Sequence, residues 1–171
     1  MNHDKNDDAY IRGILRDGRS IAMVGASPTP VRPSYFVLKY LIEKGYSVFP
    51  INPGHAGKTI LGRTVHAALS EIPERVDMVD IFRNSEAAGP ITDDAIAIGA
   101  KVVWMQLTVR NDDAAARAEA AGLRVVMNRG PKIEFGRLSG EISWAGVNSR
   151  TLSSRKRVAG TTMQSLSLGK D

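Results

Sequence analysis

Apolar residues first gather at Tyr10, Ile11, Ile14 and Leu15, a spacing that predicts one short helix over 7–16 with Asp7 or Asp8 as its cap. An alternation then begins. Short, nearly continuous apolar runs stand at 20–25 ("SIAMVG"), 46–51 ("YSVFPI"), 76–82 ("VDMVDIF"), 101–107 ("KVVWMQL") and 123–128 ("LRVVMN"). Between them the spacing turns helical, over 34–44, 65–71, 85–98 and 112–121. Gly45 and Gly122 follow two of these segments, where a left-handed terminating residue is wanted. Asn111-Asp112-Asp113 opens another with a capping side chain and negative charge at the positive end of the helix dipole. Strands that are apolar throughout belong in a sheet covered on both faces. Five of them joined by crossover helices predict an α/β fold, a right-handed, doubly wound parallel sheet. From Gly130 the pattern weakens, and beyond about 150 the chain is rich in Ser, Thr and Gly with few apolar anchors. The expected division is a lead-in with one helix over 1–19, a folded domain over 20–148 and a basic, flexible tail over 149–171.

Composition adds limits. A chain of 171 residues is one domain with extensions. It has no cysteine, which excludes thiol chemistry, thiolate zinc sites and disulfides and suits a reducing cytosol. No apolar run approaches the roughly 18 residues of a membrane helix, and "MNHDKNDDAY" lacks the basic start and apolar stretch of a signal peptide. A cytoplasmic location is expected. The net charge of +5 raises the question of nucleic acid, but residues 149–171 carry +4 of it and the body only +1. No basic face on the fold is implied, so nucleic acid is not expected as a partner. A homo-oligomer or a protein partner is left open.

Candidate chemistry follows from the architecture, because open α/β sheets bind ligands at the carboxyl ends of their strands. The first strand ends in the loop Gly25 to Pro33. Gly25 and Ala26 lack bulk, so a phosphate can approach the backbone; Ser27 adds a hydroxyl donor. The helix beginning near Ser34 points free N–H groups and partial positive charge at the same place, and Arg32 just before it can grip a phosphate with two N–H groups. The plain alternative is a tight strand-to-helix turn that holds nothing. A dinucleotide fingerprint is incomplete, since Ser27 and Pro30 occupy its second and third glycine positions and Asn52 stands where an acid would hold a ribose diol. An NAD(P)-dependent oxidoreductase is therefore the alternative rather than the first reading.

"NPGHAGKT" (52–59) resembles a phosphate loop only in Gly57-Lys58-Thr59; its leading position is Asn52, and no long helix follows. His3, His55 and His66 lack metal-ligand spacing. Asp77 and Asp80 fall on opposite faces of a predicted strand, poor geometry for an acid–base pair. Phe82 and Arg83 end the third strand at the binding rim, where Arg83 serves equally well in a salt bridge. Trp104 and Gln106 share one face of a central strand, and Gln106 fits a buried hydrogen-bonded role as readily as a ligand contact. Arg129, Lys132 and Glu134 gather at the last strand's exit.

Together, "IAMVGASPTPVRPSYFVLKYL", "GYSVFPINP", "ILGRTVHAAL", "VDMVDIFRNSEA", "GAKVVWMQLTVRND" and "GLRVVMNRGPKIE", in order from about 20 to 148, resemble the stand-alone CoA-binding domain family, related to the N-terminal domain of succinyl-CoA synthetase α subunits. The resemblance implies a Rossmann-like fold holding coenzyme A or an acyl-CoA. Carried over, it puts Gly25, Ala26, Ser27 and Ser34 around the phosphates with Arg32 as their cation. Asn52 and Pro53 would border the adenosine, and Phe82 with Arg83 the other rim. The family commonly has cysteine where this chain has Gly130, so no thiol role attaches to that position here. The larger ligases need a phosphorylated histidine and a nucleotide-grasp domain further along. No histidine follows His66, and the expectation is a binding module without catalytic residues or metal.

Overall fold

The computed structural model describes residues 1–144, with side chains to Leu138; the tail expected over 149–171 lies outside the described residues. Helix α1 (Asp8–Asp17) starts on Asp7, whose carboxylate accepts from the Tyr10 backbone N–H at 2.8 Å, and it buries Ile11, Ile14 and Leu15. Strand β1 (Ser20–Val24) leads into α2 (Pro33–Glu43), which returns to β2 (Ser47–Ile51). A one-turn 3-10 helix (Pro53–His55) and a hairpin of β3 (Thr59–Ile60) and β4 (Arg63–Thr64) follow. Then come β5 (Met78–Ile81), α3 (Ala88–Ala97), β6 (Val102–Met105), α4 (Asp112–Ala120), β7 (Arg124–Val126) and α5 (Pro131–Trp144).

The main sheet runs β2-β1-β5-β6-β7, and every pairing in it is parallel. One core, under α1, α2 and α5, contains Met23, Trp104, Val126 and Phe135; the other, under α3 and α4, contains Val79, Ile81, Val103 and Val125. The five expected strands are all present, the first two one residue shorter than their apolar runs and the other three each three residues shorter. Gly45 and Gly122 take positive φ, and Asn111 caps α4 by accepting from the Ala114 N–H at 3.0 Å.

Two elements differ from the sequence reading. The helix expected over 65–71 is absent: Val65 and Leu69 are buried one by one, His66 bridges to Ile51, and only a 3-10 turn at Leu69–Glu71 forms. Helical spacing there reflects a crossover pressed against the sheet at two points. Conversely, α5 had no strong pattern, because Gly136 and Gly140 interrupt it. Phe135 nonetheless inserts between Tyr40 and Tyr46, edge-on to both at 6.0 Å between ring centres, and this tertiary packing fixes the helix.

Candidate functional site

The chain leaves β1 for α2 on one face of the sheet and leaves β5 for α3 on the other. β1 and β5 are neighbours, so the connections diverge at their carboxyl ends and open a crevice. A cleft of about 510 Å³ lies there, lined by the ends of β1, β2 and β5. Gly25, Ala26, Ser27, Arg32, Ser34, Asn52, Pro53, Phe82 and Arg83, dispersed over 59 positions of sequence, all line this one cleft. Thr29 and His55 join them, the one carried by the β1–α2 loop and the other by the 3-10 turn.

Gly25 has φ of 90°, and a Cβ there would stand 2.3 Å from the Phe82 carbonyl oxygen. Only glycine lets β1 and β5 end this close together. The turn is held from the other side as well: the Gly25 and Ala26 N–H groups both donate to the Ile51 carbonyl. Asn52 completes the clamp, donating from Nδ2 to the Ala26 carbonyl at 2.8 Å and accepting from the Gly54 N–H at 2.9 Å. The position that lacks a ribose-binding acid thus has a structural task. Ser27 Oγ accepts from the Thr29 N–H at 3.1 Å, which leaves its hydroxyl proton to donate.

Helix α2 begins at Pro33 with Arg32 in the cap position, no side-chain cap and no acid in its first turn. Its positive end is therefore uncompensated where it meets the cleft. Arg32 and Arg83 are exposed and form no ion pair with any described residue. No acidic residue lines the cleft. The N-terminus of α2 and two exposed guanidinium groups thus meet at one crevice, an arrangement that favours negative charge.

Lys58 and Thr59, the end of the apparent phosphate loop, enter the β3–β4 hairpin rather than a helix, so their N–H groups make no anion cradle. Asp77 and Asp80 do take different roles: Asp77 accepts from the Arg19 and Ser20 N–H groups at the start of β1, whereas Asp80 is fully buried. Asp80 Oδ1 accepts from Gln106 Nε2 at 2.6 Å, and Oδ2 has no partner. Burial pushes this carboxyl up to about 7, against the opposing effect of the Gln106 hydrogen bond. Trp104, directly paired with Asp80 in the sheet, donates its indole N–H to the Arg129 carbonyl at 2.8 Å. Sequence spacing separated the two acids but gave no sign that one would be buried without a charge partner.

A family model described as a CoA binding domain matches residues 19–136. The chain belongs to the CoA-binding domain family. A Bacillus subtilis (strain 168) relative, "Uncharacterized protein YneT", is 32% identical over 120 residues, spanning 70% of this chain and 87% of its own length. The α subunit of acetate–CoA ligase [ADP-forming] I of Pyrococcus furiosus is 34% identical over 93 residues, covering 52% of this chain but 20% of that protein. Among solved structures, a hypothetical protein of Pyrococcus horikoshii OT3 is 41% identical with a TM-score of 0.76, over 80% of this chain and 95% of that one. The Rossmann-like α/β fold and the family expected from the sequence motifs are both borne out. In the CoA-binding domain of this chain, none of the helices among the described residues is long and apolar enough to cross a membrane, and no described cluster of His, Asp or Glu has the makings of a metal site.

Proposed function

We propose that the chain binds coenzyme A or an acyl-CoA in the cleft between the ends of β1, β2 and β5, as a binding module that performs no chemistry of its own. The observation that carries this reading is the convergence of the Gly25–Ser27 backbone turn, the uncompensated N-terminus of α2, Arg32 and Arg83 on one crevice. Coenzyme A brings a pyrophosphate and a separate ribose phosphate, which favours a crevice with two guanidinium groups and no ribose-binding acid. In this reading Gly25, Ala26, Ser27 and Ser34 surround phosphate, Arg32 supplies its charge, Asn52 and Pro53 border the adenosine, and Phe82 with Arg83 forms the far rim. The absence of cysteine supports a reducing, cytoplasmic setting.

Calorimetric titration with CoA, acetyl-CoA, NAD⁺ and NADP⁺ tests it. Binding of either CoA ligand, with little or no heat from the nicotinamide nucleotides, is expected. Clear NAD⁺ binding with silence toward CoA would reverse the assignment in favour of an oxidoreductase on the same fold.

A further inference from the structure

The residues just past the ends of β1, β5 and β6 stand side by side: the Phe82 N–H donates to the Val24 carbonyl at 2.8 Å, and the Gln106 N–H to the Ile81 carbonyl at 3.3 Å. Gly25, Phe82 and Gln106 therefore form one row along the carboxyl edge, with Met23, Asp80 and Trp104 paired in the row beneath. Alternation along each strand turns both rows toward the same face. Gly25 and Phe82 already line the cleft, and Gln106 lies one strand spacing further along, about 5 Å. Beyond Gln106, outside the cleft itself, stand Gly130 and the start of α5: a Cβ on Gly130 would lie 3.8 Å from Gln106 Oε1 and 3.5 Å from Ile133 Cδ1. Ile133 and Leu107 are large apolar side chains left exposed at this end.

We propose that Gln106, held by Asp80, extends the cleft into a subsite for the sulfur end of the ligand, a free thiol or a short acyl thioester. This rests on the coenzyme A reading. The amide of Gln106 has a donor end and an acceptor end, and Asp80 decides which one faces the subsite. An ionised carboxylate can only accept, so it takes Nε2–H and leaves Oε1 on the Gly130 side, as observed. A protonated Asp80 can donate to Oε1, and the amide then turns its N–H groups outward. An acceptor suits a thiol S–H; a donor suits a thioester carbonyl. Discrimination between free and acylated coenzyme thus follows one buried proton.

Asp80 is well isolated for this task. The facing elements carry Asp8, Arg12, Arg16 and Asp17 on α1, Lys39 and Glu43 on α2, and Lys132, Glu134 and Arg137 on α5, with Arg83 and Arg129 at strand ends. Arg137 pairs with Glu134 and Asp8, and Lys132 stands over the Tyr40 ring at 5.5 Å. Burial raises the Asp80 pKa and the Gln106 hydrogen bond opposes it.

The test is calorimetry with CoA, acetyl-CoA and adenosine 3′,5′-bisphosphate at pH 6 and pH 8, on the full chain and on Asp80→Asn and Gln106→Met. The two CoA ligands share their phosphates, whose own titration cancels in the ratio of their affinities. One exchanged hydrogen bond corresponds to about a fivefold change, so preference for CoA over acetyl-CoA should rise about fivefold from pH 6 to pH 8. Both variants should show a ratio independent of pH, with bisphosphate affinity unchanged. A flat ratio in the unmodified chain, or a full pH response surviving in Asp80→Asn, overturns the subsite while leaving the cleft assignment standing. Absence of binding by all three ligands overturns the coenzyme A reading and the subsite with it.

Discussion

At the scale of single residues, Arg32 and Asp80 show two opposite uses of charge. Arg32 is exposed at the N-terminus of α2, and its guanidinium is free to meet a ligand. Hydrogen bonds to charged groups contribute about 1.5–3 kcal/mol, so Arg32→Ala should weaken CoA binding roughly 10- to 100-fold by calorimetry. Arg32→Lys should recover part of the loss if the contact is two-pronged. A smaller effect on dephospho-CoA than on CoA would assign Arg32 to the ribose phosphate; an equal effect would assign it to the pyrophosphate. Asp80, by contrast, is buried without a charge partner, and its pKa rises from 3.8 to about 7. The folded state thus holds the Asp80 proton more tightly than the unfolded chain does. Its contribution is most favourable below about pH 4, is lost as pH rises to about 7, and is constant above, a range of about 4 kcal/mol at most. Asp80→Asn should flatten that part of the stability–pH curve in urea titrations; an unchanged curve would show that Asp80 ionises freely. The places of Gly25 and Arg32 in the turn between β1 and α2 were legible because a β-strand running into a glycine turn and a helix start is a local pattern. Burial of Asp80 depends on which strands flank β5, and that is written nowhere in its neighbourhood.

At the scale of elements, sequence pattern and structure coincide where a local signal and the tertiary environment agree. α4 has its Asn111 cap and acidic first turn, and Asn111→Ala should cost about 1 kcal/mol, measured by chemical denaturation. The segment over 65–71 failed for the reverse reason. Its apolar residues fit a helix, but the hairpin β3–β4 and the His66 bridge to Ile51 hold the backbone extended, and Pro73 ends the 3-10 turn soon after. α5 failed through its glycines, although Pro131 at its first position and Glu134 in its first turn are helix-start signals. Phe135 is fully buried between Tyr40 and Tyr46 and closes the core under α1 and α2. Phe135→Ala should therefore cost about 3–5 kcal/mol. A loss below 1 kcal/mol would mean that α5 is peripheral to the fold.

At the scale of the whole molecule, the decisive fact is the point where the chain changes its direction of travel through the sheet. β1 feeds α2 toward β2 at one edge, and the return past β1 to β5 then proceeds outward through β6 and β7. That order alone sets the crevice between β1 and β5, and the loops after β1, β2 and β5 bring their side chains to it without any contact in sequence. The alternation of strands and helices announced a doubly wound sheet; the strand order came only with the structure, since one sequence pattern admits several orders. Occupation of this crevice by coenzyme A, as proposed, is tested by amide NMR of the isotope-labelled chain during CoA titration. The largest shifts are expected at Gly25–Ser34, Asn52–His55 and Phe82–Arg83, saturating together and much smaller with NAD⁺. Shifts centred elsewhere in the chain, or none at saturating CoA, would contradict it.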